Sequence, residues 1–225
     1  MISDHDWVQR KLGYSFQDES LLDSALTHRS VGSRHNERLE FLGDSLLNFV
    51  IAHELFLRSP RADEGDLSRL RASLVKGSTL AEIAKSLDLG DQLKLGSGEL
   101  KSGGFRRESI LGDALEAMFG AVLLDGGHEA ASRMVLELYA GRLDNLPDPE
   151  HLKDPKTRLQ EWLQSKNISL PDYAVDDVQG AAHNQRFSVS CRVDSLNLHT
   201  TGQGTSRRKA EQASAASMLE KLTSE

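Results

Sequence analysis

At 225 residues, 38% hydrophobic and 27% charged, the chain has the composition of one large folded domain or two modest ones, which excludes disorder throughout. Its first residues, MISDHDWVQRKLGY, are charged, and no apolar run approaches the roughly 18 residues a membrane span needs, so a cytoplasmic protein without a secretion signal or a membrane partner is expected. The net charge of −7 argues against a nucleic-acid partner only until the chain is divided, because residues 1–150 hold 17 Lys+Arg against 25 Asp+Glu while residues 151–225 hold 10 against 9.

The charged N-terminus, with His5-Asp6, is expected to fray. From there to residue 143 helical periodicity dominates, in LLDSALTHRS, ERLEFLGDSLLNFVIAHELFLR, DLSRLRASLV, STLAEIAKSLD, ESILGDALEAMFGAVLLDGG and EAASRMVLELYAGRL. The stretch GSGELKSGGFRR reads as a glycine-rich loop. No segment alternates cleanly with period two, so residues 1–147 are predicted as an all-α domain. Residues 144–155, DNLPDPEHLKDP, hold three of the five prolines and have the composition of a linker, centred on 148–153.

After the linker the pattern changes. DPKTRLQEWLQSK opens with Asp154 as N-cap and Pro155 at the first helical position, and carries Leu159, Trp162 and Leu163 on one face. YAVDDVQG, RFSVSCRV and LNLHTTGQG read as strands, with Phe187, Val189, Cys191 and Val193 alternating as a half-buried strand requires. Cys191, the single cysteine, is read as core filler; it has no intrachain disulfide partner, in keeping with a reducing compartment. SRRKAEQASAASMLEKL closes the chain as an alanine-rich helix able to pack closely on a sheet. Residues 154–225 are thus predicted as a small α+β domain of order α-β-β-β-α.

Three acids interrupt the apolar helix HNERLEFLGDSLLNFV. Glu37 to Glu40 is i,i+3 and Glu40 to Asp44 is i,i+4, so all three project along one stripe, while Leu39, Phe41, Leu42, Leu46, Leu47, Phe49, Val50 and Ile51 mark a helix enclosed by other helices or by a second subunit. A carboxylate in such surroundings needs a cation or strong donors. On spacing alone, favourable placement in the first helical turn or pairing with Arg34 and Arg38 competes with a metal or catalytic wall. A second apolar helix carries Asp113 and Glu116 at i,i+3 within LGDAL, an echo of LGDSL at 42–46. Two such helices facing each other can assemble a metal site, and an all-oxygen donor set favours Mg²⁺ or Mn²⁺ over zinc. Such a cation suits phosphoryl chemistry. Glu64, in DEGD before a helix, fits ordinary capping better than a site, and Glu99 is weaker still.

GQGTSRRKAEQ puts Arg207, Arg208 and Lys209 at a helix N-terminus, where they oppose the helix dipole unless an anion is bound. That placement favours a phosphate clamp over a solvated basic face. Thr157, Gln160, Glu161 and Gln164 form the polar face of the preceding helix, suited to ribose hydroxyls in a shallow groove or to plain solvent. His183, in the loop GAAHN, is ambiguous between site and surface. No aromatic pair on the strands offers a stacking platform, which speaks against single-strand recognition.

HNERLEFLGDS resembles the signature motif of bacterial ribonuclease III, and the α-β-β-β-α segment with GQGTSRRKAEQ resembles its C-terminal double-stranded-RNA-binding domain; the likeness covers almost the whole chain. It implies Mg²⁺-dependent hydrolysis of double-stranded RNA by a homodimer, with Mn²⁺ substituting. Staggered ends would carry 5′-phosphate and 3′-hydroxyl, and the substrates would be ribosomal RNA precursors and other structured transcripts. By matching motifs, Glu40, Asp113 and Glu116 correspond to metal ligands, Asp44 and Glu116 to catalytic residues, and Glu37 and Glu64 to accessory acids of the same valley. The RNA contacts correspond to Thr157, Gln160 and Glu161 of the first helix, the His183 loop, and Arg207, Arg208 and Lys209. The loop Gly180-Ala181-Ala182-His183 lacks a proline common in such domains, which bears on that contact alone. A noncatalytic RNA-binding protein would lack one of the acids, and a small-molecule metal phosphohydrolase would need no RNA-binding appendage; cutting of a long duplex with and without Mg²⁺ separates the three.

Overall fold

The structure is a computed structural model that describes residues 4–181 and 184–223. The chain divides into two compact units, Met1–Pro149 and Glu150–Glu225.

The first unit is helical: α1 (Asp4–Leu12), α2 (Glu19–Ala25), α3 (Glu37–Arg58), α4 (Glu64–Val75), α5 (Gly77–Ser86), α6 (Ser97–Lys101) and α7 (Glu108–Leu143). The expected frayed start is instead the helix α1. Trp7, Val8 and Leu12 are buried, and the Trp7 indole N–H donates to the Leu87 carbonyl at 2.8 Å, so one apolar stripe anchors a segment whose average composition is charged. α7 forms the centre, with α2, α3 and α5 packed against it and Ala114, Leu115, Met118, Phe119 and Val122 fully buried. The two helices read at 108–127 and 129–143 are one element broken at Gly127, whose backbone (φ 80°, ψ 177°) is non-helical; the left-handed φ is one that glycine adopts without steric cost.

Two further readings need correction. The helix expected over LLDSALTHRS ends at Ala25, because Thr27 leaves it to form a parallel bridge with Lys94, Lys94 N–H donating to the Leu26 carbonyl at 2.8 Å and His28 N–H to the Lys94 carbonyl at 3.0 Å. The glycine-rich loop at 96–107 contains the short helix α6 and a 3₁₀ turn at Gly104–Arg106.

In the second unit one turn of helix, α8 (Pro149–Leu152), lies within the segment read as linker, and α9 (Pro155–Ser165) follows it. Asp154 caps α9 by accepting from Thr157 N–H at 3.1 Å, with Pro155 at the first helical position. The strands β1 (Asp172–Gln179), β2 (Arg186–Val193) and β3 (Leu198–Gly204) form an antiparallel sheet in that order, with an irregularity between Val175 and Asp177. Helix α10 (Arg207–Thr223) lies against it. A Cβ on Gly202 or Gly204 would collide with the α10 backbone, so glycine in the strand and alanine in the helix together set this close approach. Leu159, Leu163, Cys191, Val193, Ala215, Met218 and Leu219 make the core.

Candidate active site

The acids meet where α3 crosses α7. A Cβ on Gly43 would overlap the Glu116 carbonyl, and one on Gly120 would overlap the Leu39 carbonyl. The two backbones therefore touch, and their carboxylates cannot spread apart. Gly112, in the echoing LGDAL, has no such constraint; its nearest neighbour would be the Leu80 side chain at 3.5 Å.

Glu40, Asp113 and Glu116 are half-buried, and each offers a carboxylate oxygen within 4.8 Å of the others. Burial raises the pKa of Glu116 to about 8, with Asp44, Glu40 and Asp113 adding their repulsion. Glu40 is also raised, first by burial and then by Asp113 and Glu37. Asp113 is raised by burial, against the opposing pull of His28 and Arg29. Three oxygen donors converging at a point where their own charge is costly fit a hard divalent cation, which would replace both the missing hydration and the shared proton.

The remaining acids are placed differently. Asp44 is exposed one turn beyond Glu40, its Oδ1 accepting from Asn48 Nδ2 at 2.8 Å, and it joins the cluster through its effect on Glu116. Glu37 accepts from Arg29 at 3.1 Å; this cation, rather than Arg34 or Arg38, is its partner. Glu64, in the first turn of α4, accepts from the Ser68 hydroxyl at 2.8 Å and stands outside the group. Asp63, not Glu64, caps that helix by accepting from Asp66 N–H.

Sequence reasoning missed the other wall. His28, Arg29, Asn36, Arg107 and Ser109 line a pocket of about 350 Å³ together with Glu37, Glu40, Ile110, Asp113 and Glu99, the acid that the sequence ranks weakest. The Thr27–Lys94 bridge brings His28 and Arg29 there, and Arg107 reaches Glu99 at 2.9 Å. Only the cations flanking the acidic helices, in THRS and GFRRES, hinted at this wall.

In the second unit, Thr157, Gln160, Arg207 and Arg208 share a cleft of about 760 Å³ with Lys156, Tyr173 and Glu211. Glu211 sits between cations, accepting from Lys156 Nζ at 2.6 Å and Arg207 Nε at 2.9 Å. Lys156 first, and then Arg207, hold its carboxyl below the ordinary range. All three cations are exposed, but Arg207 is tethered to Glu211. The Lys209 N–H donates to the Ser206 hydroxyl at 3.3 Å, so the helix start is partly capped. Glu161 accepts from Lys153 at 2.7 Å, away from the cleft, and His183 lies outside the described residues.

Residues 18–143 match the Ribonuclease-III-like family, and residues 155–222 match the Double-stranded RNA binding motif. The chain belongs to the ribonuclease III family. It is 59% identical over 213 residues, 95% of each chain, to Ribonuclease 3 of Vibrio cholerae serotype O1. Two structures of the ribonuclease III nuclease domain from Campylobacter jejuni are similar to it, each at 45% identity with a TM-score of 0.59. They cover 60% and 61% of this chain and 96% and 94% of theirs. With both domains of the family, the protein is a double-stranded-RNA endoribonuclease. Family membership also carries dependence on a divalent metal, for which the acidic cluster supplies suitable donors. No helix among the described residues is long and apolar enough to cross a membrane.

Proposed function

We propose that this ribonuclease III family member cuts duplex RNA with Mg²⁺ held by Glu40, Asp113 and Glu116, Mn²⁺ substituting, and with Asp44 and Glu116 as the catalytic acids. The observation that carries the reading is the convergence of three half-buried carboxylates within 4.8 Å at a glycine-to-glycine helix crossing. An oxygen-only donor set favours a hard cation. When bound, the ion supplies charge to the reacting phosphate and acidity to the attacking water. Hydrolysis joins the water oxygen to phosphorus and breaks the bond to the 3′-oxygen, which takes a proton, leaving 5′-phosphate and 3′-hydroxyl. Around this centre Asp44 adds negative charge beside Glu116, and Arg29 fixes Glu37 at the rim. Thr157, Gln160, Arg208 and Lys209 hold the duplex in the second domain. Ribosomal RNA precursors and other structured cytoplasmic transcripts are the proposed substrates.

The working unit in this reading is a homodimer. Phe41 is 77% exposed, and Phe49, Phe56 and Leu124 are exposed too, an apolar ridge that is costly in water. Phe41 and Leu124 also border a groove of about 740 Å³ whose lining mixes Leu21, Leu39 and Leu42 with Arg34, Glu37 and Arg38, and a ridge bordering its own groove suits a twofold interface. The Campylobacter jejuni nuclease domain has a region involved in dimer formation. Glu64, apart from the cluster within one protomer, would join the valley formed by two.

Incubating the full-length protein with a long RNA duplex, with and without Mg²⁺, tests the reading. Cutting that requires the ion and leaves 5′-phosphate ends supports it; ion-independent cutting or 3′-phosphate ends contradict it.

A further inference from the structure

Asn36 occupies the N-cap position of α3, where an asparagine side chain ordinarily accepts from one of the first helical N–H groups. It makes no such bond, and its backbone is already helical (φ −79°, ψ −14°). Its main chain is fully engaged: the N–H donates to the Thr27 carbonyl at 2.9 Å, and the carbonyl accepts from Leu39 and Glu40, each at 2.9 Å. The residue as a whole is 3% exposed, no described residue hydrogen-bonds to its carboxamide, and neither carboxamide atom is among the sealed polar atoms without a partner, so the little surface it keeps open is at the carboxamide. It lines the acidic pocket with Glu37, Glu40 and Asp113. Asn36 precedes Glu40 by four residues, so the two share one face of the helix end. A carboxamide that borders the pocket with neither a cap nor a protein partner takes its hydrogen bonds from what occupies the pocket, water or a ligand.

We propose that Asn36 is a positioning residue for a hydrated divalent cation, its Oδ1 accepting a hydrogen bond from a water that the cation retains. This rests on the reading of Glu40, Asp113 and Glu116 as the direct holders. Water polarised by a divalent ion is a strong donor, so the pocket must present acceptors to it. Mg²⁺ sheds water reluctantly and keeps several molecules when bound to carboxylates. Partners in the outer shell then orient the ion. A donor role toward an RNA phosphate is the competing use of the same carboxamide; Glu37 and Glu40 repel a phosphate while Arg29 and Arg107 of the same pocket attract one, so cation binding without RNA is the measurement that separates the two.

Mn²⁺ binding to the full-length protein, measured by calorimetry without RNA, separates the two uses. Asn36→Ala is expected to raise the Kd about tenfold, whereas a carboxamide reserved for RNA phosphate would leave the Kd unchanged. Asn36→Leu, which keeps the size of the side chain and removes its acceptor, gives the same readout should Asn36→Ala not fold. Wild-type Mn²⁺ affinity in folded Asn36→Ala or Asn36→Leu overturns the proposal. Glu116→Gln, run alongside, must lose Mn²⁺ affinity; unchanged binding there overturns the direct-holder reading itself, a result distinct from failure at Asn36.

Discussion

Glu116 illustrates how a residue of the acidic cluster opposes the stability of its own fold. Its pKa near 8, against about 4.3 for a free glutamate, means that the folded, metal-free protein binds a proton the unfolded chain releases. The stabilisation from that proton is complete below the unfolded pKa and is lost as pH rises through the folded one. Metal-free protein is therefore expected to lose stability between pH 5 and pH 8, by about 2 kcal/mol once the solvent reaching the pocket is taken into account. Glu116→Gln should flatten that slope and unfold at a higher temperature than the unsubstituted protein at pH 8; parallel pH profiles for the two would contradict the assignment. Cation binding at pH 7 should also release a proton from the cluster, which appears in calorimetry as a heat that depends on the buffer's ionisation enthalpy. At this scale the acids were legible in the sequence, because i,i+3 and i,i+4 spacing fixes which side chains share a helix face. His28, Arg29 and Asn36 were not. They reach the pocket through the pairing of Thr27 with Lys94, a contact that no local periodicity encodes.

Among the elements, the contact between α3 and α7 decides whether a cluster forms at all. Alanine for glycine in a helix interior ordinarily stabilises by about 1 kcal/mol. At Gly43 the new methyl group would meet the Glu116 backbone, where neither side can yield, and overpacking of this kind costs about 3 kcal/mol. The clash wins. Gly43→Ala is expected to lower the thermal midpoint and to abolish cutting by pushing Glu40 away from Glu116, whereas Gly112→Ala, with ordinary contacts around it, should leave both intact. The similarity of LGDSL and LGDAL concealed this difference, since a sequence shows the glycine but not the backbone opposite it. Helix identity itself was easier to read: α3, α4, α5 and α7 follow from apolar periodicity, and the second unit from one amphipathic helix and alternating strands. The errors fell at α1, whose charged composition hid the Trp7 anchor, at the end of α2, where a tertiary bridge overrode local propensity, and in the glycine-rich stretch that holds α6 and a 3₁₀ turn. In the second unit, Arg208→Ala should weaken duplex binding and reduce the salt slope by about one, a result read from affinities at several salt concentrations.

At the level of the whole molecule, charge is divided in keeping with the work. Acids gather in the unit that carries the proposed metal ligands, and the second unit, near neutral in total, concentrates its cations beside Thr157 and Gln160. The exposed aromatic ridge on α3 was read from sequence as a sign of enclosure, and within one protomer Phe41 and Phe49 are open; a second copy is the enclosure proposed. Phe41→Glu is expected to shift sedimentation from dimer to monomer, while an unchanged dimer would remove the ridge from the interface.

The central claim, that the Glu40–Asp113–Glu116 cluster performs the cutting while a separate domain grips the duplex, is tested most directly by measuring cleavage and duplex affinity together for Glu116→Gln in Mg²⁺. The account predicts cutting reduced to background with duplex affinity unchanged. Normal cutting by that variant would contradict it.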